Sequence, residues 1–337
     1  MTTDQALPTL LAQALIAYRI ELDNEFELRL RRSGFAGFKL PVEFWPLIRP
    51  VADERTPIAV LLEQTGRPRR ELFPAIGGIE RWGYVEVRLD ADTQPRRPRQ
   101  DGYGSGRRLR PGSVLIPTPV GRRARDLWPS VIASMGDRWA ERFGPAAMTD
   151  LDTSLAMIIE SRAESLPDRL AAVLQAFASE VDADSPVPMR IAANFLPALS
   201  ADPTPIGELP RRTGITGRPV TPALGALTRA GLITSGPVAV GRGKAVTLTP
   251  DGLAEQVAFT DRVAAVEGSW RDRYGAAVIT SLHDALDALT PKLAEGLQPP
   301  EQGWRASREY AAQTRAILDD PRSGLPRHPI GPWLTTS

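Results

Sequence analysis

Apolar residues recur at three- and four-residue steps through Leu7, Leu11, Ala14, Leu15, Tyr18, Leu22, Phe26 and Leu30, which predicts a long helix with one buried face. Arg19 and Asp23, Glu25 and Arg29, and Glu27 and Arg31 stand one turn apart on the remaining surface, as exposed helix pairs do. Ser33 to Pro41 breaks the pattern, and Phe44 to Val51 opens the next apolar stretch. Thr56-Pro57 then reads as an N-cap followed by a first-turn proline, with Leu61 and Leu62 facing inward and Gly66 as the stop. A second helix is predicted from Pro68 to Trp82, with Pro74 and Gly77-Gly78 expected to kink it or end it early. Tyr84 to Leu89 alternates as a strand does, and Ser113 to Pro117 returns as its partner. Thr118-Pro119 opens a further helix whose stripe runs through Val120, Ala124, Leu127, Val131, Met135, Trp139 and Phe143. Gly144-Pro145 stops it, and Leu151, Leu155, Ile158 and Ile159 continue on another helix.

Most of this pattern occurs twice. Thr56 to Tyr84 repeats without gaps as Thr204 to Leu232, at a constant offset of 148 residues from Thr56 to Thr204. The later block repeats at an offset of 131: Trp139, Arg142, Phe143 and Gly144 reappear as Trp270, Arg273, Tyr274 and Gly275, and Leu151 and Leu155 as Leu282 and Leu286. Two gap-free blocks in one order indicate a duplication. The drop between the offsets makes the first loop 17 residues longer than the second. Leu166 to Phe177 falls where the second copy needs its counterpart of the N-terminal helix. The chain therefore divides into residues 1–160, 161–290 and a Pro-rich, unrepeated tail, 291–337, expected to lie extended on the surface. Helix, Gly-containing turn and helix, followed by strand, loop and strand, describe a winged helix-turn-helix in each copy.

Composition narrows the class. The 337 residues are 42% hydrophobic and 24% charged, as in an ordinary globular protein, and Cys is absent, which excludes disulfides and fits a reducing cytoplasm. The N-terminus has neither a basic leader nor a membrane-length apolar run, so a cytoplasmic protein is expected. A net charge of +1 makes any nucleic-acid footprint local. Between Arg88 and Arg110 seven Arg and three Asp give a local +4, in a loop far longer than a hairpin needs. Such a segment is an arm for phosphates or the minor groove, or a solvated loop. Two His, 283 and 328, without Cys or clustered carboxylates predict neither a metal site, a cofactor nor catalysis. GPVAVGRG from Gly236 lacks the Lys-Ser/Thr of a phosphate loop, and GYGSG from Gly102 fits neither a dinucleotide fingerprint nor a nucleophile elbow.

The element order, with the Gly-Tyr and Gly-Leu strand entries at residues 83–84 and 231–232, resembles the MarR family of transcription regulators. Segments LDNEFE (Leu22–Glu27), TPVGRRA (Thr118–Ala124) and RWAERFG (Arg138–Gly144) also resemble a group of actinobacterial tandem winged-helix proteins. The likeness covers residues 5 to 290. It implies a mainly α protein with small β-wings: two tandem winged-helix, MarR-like repeats forming an intramolecular pseudo-dimer. It further implies sequence-specific binding of double-stranded DNA, the second helix of each head in the major groove and the wing tip in the minor groove. The matching positions are Arg67, Arg69, Arg70 and Phe73 in the first head, and Thr216, Arg218 and Thr221 in the second. The wings would add Arg96, Arg97, Arg99, Arg107, Arg108 and Arg110, and on the other side Arg242 and Lys244. Pro74, Pro219 and Pro222 in the reading helices depart from the pattern, and the second head is the less basic one. An aromatic or lipophilic effector between heads and long helices is also implied, with Trp45, Trp82 and Trp128 as its contacts, while Trp139 and Trp270, repeated at helical spacing, are expected to be core. A small-molecule-binding protein that has lost DNA binding is the alternative.

Overall fold

The computed structural model describes residues 5–35, 48–49, 51, 54–65, 69–89, 109–110, 112–159, 165–215, 219–238, 243–299, 301 and 308–330. These form a mainly helical chain with two small three-stranded antiparallel sheets. The first copy runs α1 (Leu7–Arg32), β1 (Thr56–Pro57), α2 (Ile58–Thr65), α3 (Arg69–Arg81), β2 (Val85–Leu89), β3 (Ser113–Pro117), α4 (Pro119–Phe143) and α5 (Pro145–Ile158). The second runs α6 (Leu166–Asp182), α7 (Met189–Phe195), β4 (Thr204–Pro205), α8 (Leu209–Thr213), α9 (Val220–Arg229), β5 (Ile233–Pro237), β6 (Lys244–Leu248), α10 (Pro250–Tyr274) and α11 (Ala276–Leu289). Among the described residues no helix is long and apolar enough to cross a membrane.

The sheets have the same order, β1-β3-β2 and β4-β6-β5, and matching registers: Thr56 opposite Leu115 and Thr204 opposite Val246, then Val85 opposite Pro117 and Ile233 opposite Leu248. Here the Thr-Pro pairs differ from the expectation. They are two-residue edge strands rather than helix caps, and the helical turn begins only afterwards. Proline has no N–H for a ladder, so an edge strand is where it fits in a sheet. The Thr-Pro pairs that open α4 and α10 are the caps expected: Gly121 N–H donates to Thr118 Oγ1 and Gly252 N–H to Thr249 Oγ1, both at 3.0 Å.

Each cap also forms a corner that fixes a sheet to its following helix. Thr118 Oγ1 donates to Gly83 O at 2.6 Å, and Thr249 Oγ1 to Gly231 O at 2.7 Å. Gly83 and Gly231 adopt φ of 77° and 74°, a region glycine enters without cost. A Cβ on Gly121 would lie 2.0 Å from Tyr84 O, and one on Gly252 2.0 Å from Leu232 O. Only glycine allows that approach of helix to strand.

α3 is not ended by its proline or its glycines. It continues through Pro74, Gly77 and Gly78 to Arg81, with Leu72, Ala75, Ile76 and Ile79 buried. A mid-helix proline costs about 3 kcal/mol. Burying Leu and Ile side chains contributes about 1.5–3 kcal/mol each, which is enough to hold the helix together.

The described residues form two compact units, a smaller one within residues 22–135 and a larger one within residues 5–21 and 136–330. In the smaller unit Phe26 meets Trp128 edge-on at 6.3 Å, Phe35 meets Tyr84 at 6.0 Å, and Arg125 donates to Val51 O at 2.8 Å. In the larger unit α5 packs on α11, the equivalent helix of the second copy, through Leu151 and Leu155 on one side and Leu282 and Leu286 on the other, all buried.

A second duplication lies in the N-terminal helices. Leu7-Pro8, Leu11-Ala12, Leu15, Glu21 and Asp23 recur 159 residues on as Leu166-Pro167, Leu170-Ala171, Leu174, Glu180 and Asp182. Tyr18 rests 4.8 Å from Trp139 and Phe177 5.0 Å from Trp270. Phe143 and Tyr274 close the two boxes at 5.0 and 5.4 Å. Arg142 forks onto Glu21 at 2.6 and 3.0 Å, and Arg273 bonds Glu180 at 2.7 Å. The first pair is buried, with side-chain exposures of 14% and 2%; the second is open, at 50% and 32%.

The tail expected to be extended is instead folded in. Thr290–Gly296 is a 3₁₀ turn, and α12 (Arg308–Asp319) and α13 (Pro321–Gly324) follow. Leu293, Leu297 and Leu325 are buried, which explains why these residues fold back: three leucines gain more from the core than from a wet surface.

Candidate functional site

In each head the second helix turns one face inward and one outward. α3 exposes Arg69, Pro74 and Arg81, while Phe73 is half-buried. α9 buries Val220, Ala223 and Leu227 and exposes Thr221, Pro222, Thr228 and Arg229. Pro222 sits in the first turn, where a missing N–H is tolerated. Arg110, just before β3, and Lys244, at the start of β6, are exposed as well. Arg88 is neutralised by Glu86 at 2.6 Å. Arg69 and Arg110 thus belong to the smaller unit, and Thr221 and Lys244 to the larger. Arg67, Arg96, Arg97, Arg99, Arg107, Arg108, Thr216, Arg218, Arg242 and Trp45 lie outside the described residues, as does the side chain of Arg70.

Trp139 and Trp270 are fully buried in the repeated boxes, as their spacing predicts. Burial, and next the Glu21 carboxylate, push the Tyr18 phenol above its usual range. Trp82 and Trp128 are half-buried in the smaller unit.

A cleft of about 1320 Å³ opens in the larger unit, and neither Trp82 nor Trp128 lines it. One wall is α10, with Phe259, Val263 and Ala264. Opposite stand Met189 and Ala193 of α7, Leu196 of the following turn, and Pro8 at the start of α1. Gln256 donates to Leu196 O at 2.6 Å and so ties α10 to that turn. The polar end carries Glu267 and Arg271 of α10 and Thr280, His283, Asp284 and Asp287 of α11; Arg327 closes the set. Within it Arg271 pairs with Glu267 at 2.9 Å and donates to Thr280 Oγ1 at 3.0 Å. Arg322 pairs with Asp287 at 3.2 Å, and His283 Nε2 meets Gln5 O at 2.9 Å. α10 from Gln256 to Arg271 and α11 from Thr280 to Asp287 line this site at helical spacing, but the other contributors are far apart in sequence and share no motif with them.

Residues 321–330 form a strap beside the cleft. Gln13 donates to Arg322 O at 2.9 Å, and Asn194 on α7 holds His328 by two hydrogen bonds. Gly214, the left-handed end of α8 at φ 68°, lets the strap pass: a Cβ there would lie 2.9 Å from Gly324 O. Burial lowers the His328 pKa to about 4, with Arg190 adding to the effect against the Pro329 carbonyl. Desolvation also lowers Arg327 from the ordinary guanidinium range. The chain matches no protein-family model and no curated protein.

Proposed function

We propose that this chain is a cytoplasmic, sequence-specific DNA-binding transcription regulator: two MarR-like winged-helix modules fused as an intramolecular pseudo-dimer and controlled by a small molecule. The observation that carries the reading is the doubled order of strand, two helices and hairpin, each with its second helix presenting a solvent-exposed face. On such a scaffold α3 and α9 enter major grooves and the β2–β3 and β5–β6 hairpins reach the flanking backbone. Arg69 and the arginines of the long first wing supply phosphate and guanine contacts, and Thr221 suits a phosphate or a thymine methyl. The heads differ in charge and side chains, so the operator is asymmetric. The effector sits in the cleft beside α7 and α10, where its presence alters how the second head is held.

The cleft also favours a second reading, a small-molecule-binding protein on the same fold without DNA binding. Titrating the full chain with random-sequence and genomic duplex fragments at several salt concentrations separates the two. A regulator loses affinity steeply as salt rises, with a slope set by the phosphates it neutralises. Salt-independent or absent binding leaves the second reading standing.

A further inference from the structure

We propose that the strap, residues 321–330, is a latch: it fastens the second head to helices α1 and α11, and its release frees that head to swing on α10. Both heads share one tie to the long helix that follows them. Arg125 donates to Val51 O at 2.8 Å, and at the equivalent positions Gln256 donates to Leu199 O at 3.3 Å. The strap is an addition on one side only, because residues 291–337 follow the second copy and repeat nothing in the first.

Its two ends grip different bodies. At the near end Gln13 of α1 donates to Arg322 O at 2.9 Å, and the Arg322 side chain pairs with Asp287 of α11 at 3.2 Å. At the far end Asn194 of α7 holds both backbone groups of His328, at 2.6 and 3.0 Å. Between them Leu325 is buried, and the backbone passes the turn after α8 so closely that a Cβ on Gly214 would meet Gly324 O at 2.9 Å. A link fixed at both ends removes the hinge freedom that a helical connection alone leaves to a head. The near grip is the one built to let go. Arg322 and Asp287 are partly exposed, and an ion pair within reach of water is weak, whereas the His328 bonds are buried. Asp287 also lines the cleft, so an occupant of the cleft meets the latch at the grip that opens. Held and freed positions of one head are two states between which a ligand can choose. The latch stands whether or not the heads bind DNA.

The chain has no Cys, so spin labels go only where cysteines are introduced. Arg229→Cys with Ala277→Cys spans α9 and α11, and Arg81→Cys with Ala146→Cys is the equivalent pair in the first copy; all four positions are exposed. Double electron–electron resonance on the full chain is expected to give one narrow distance between 229 and 277. Arg322→Ala with Gln13→Leu opens the near grip, and Asn194→Ala opens the far one. Each should turn that distance into a broad distribution while leaving the 81–146 distribution as it was. The near-end variant keeps the buried bonds to His328, so it carries the test even where Asn194→Ala fails to fold. An unbroadened 229–277 distance in the near-end variant overturns the proposal. So does equal broadening of both pairs, which marks a general loosening of the fold rather than release of one head.

Discussion

Asn194 and His328, 134 residues apart, exchange two hydrogen bonds: Asn194 Nδ2 donates to His328 O at 2.6 Å, and His328 N–H donates to Asn194 Oδ1 at 3.0 Å. One amide side chain thus satisfies both backbone groups of a buried residue. Asn194→Ala leaves both unpaired, at a cost of about 2–4 kcal/mol in total. Hydrogen exchange should show the His328 amide losing protection and the strap becoming open to proteolysis. An unchanged exchange rate would show that Asn194 does not hold the strap.

The His328 side chain gives the same region a pH dependence. Its folded pKa, about 4, lies below the 6.5 of a free histidine, so the unfolded chain binds the proton more readily. Stability is then complete above pH 6.5 and falls as the pH drops from there towards 4, by on the order of 3 kcal/mol. Denaturant melts across that window should show the loss, and His328→Leu should flatten it. A wild-type curve that is already flat refutes the assignment.

The two aromatic boxes should respond unequally to loss of their ion pairs. Removing one partner of a buried pair costs about 3–5 kcal/mol, which applies to Arg142→Ala because Glu21 is left buried without its fork. Arg273→Ala should cost much less, since Glu180 remains in water and still accepts from Trp270 Nε1 at 3.0 Å. Thermal melts of the two variants decide it, and equal losses would mean that the difference in burial has no energetic weight.

The glycine corners offer a test in both copies. Gly121→Ala and Gly252→Ala each drive a methyl into a strand carbonyl at 2.0 Å, and each should destabilise by about 1–3 kcal/mol or more. Gly136→Ala, on an open stretch of α4 with nothing within 4 Å, should instead stabilise by about 0.5–1 kcal/mol. Circular dichroism melts of the three variants give the comparison, and tolerance of alanine at 121 and 252 would contradict the close approach.

The DNA-binding reading makes its own demand on α3. Arg69→Ala with Arg70→Ala should weaken binding by about 1–3 kcal/mol for each arginine that contacts a base, and flatten the salt dependence if the contacts are to phosphate. Thr221→Ala reports on the second head in the same assay. Affinity and salt slope unchanged by the arginine pair remove the first head from the interface.

Much of this fold is readable in the chain, and the exceptions have physical reasons. Trp139 and Trp270 announce their boxes because a large side chain repeated at one offset must occupy equivalent space. The kinship of α1 and α6 is weaker in sequence: most of the repeated positions are leucines, prolines and alanines with one glutamate and one aspartate, and the pairs Tyr18–Trp139 and Phe177–Trp270 make it plain. Thr56-Pro57 and Thr204-Pro205 carry the local chemistry of a helix start, yet a strand from the far end of the head claims them. Pro74 looks like a breaker until the burial of Ile76 and Ile79 beneath it is known. The strap was hidden by its prolines, which suggest a loose tail when Leu325 and His328 are not seen packed.

Tyr18 faces Trp139 with Phe143 beyond it, while Phe177 faces Trp270 with Tyr274 beyond it. The phenolic oxygen has changed sides. In an assembly of identical subunits one codon rewrites every copy, and such an exchange cannot be confined to one of them. Here each site has its own codon, so drift in one leaves its counterpart alone, and the two halves are free to become different from each other.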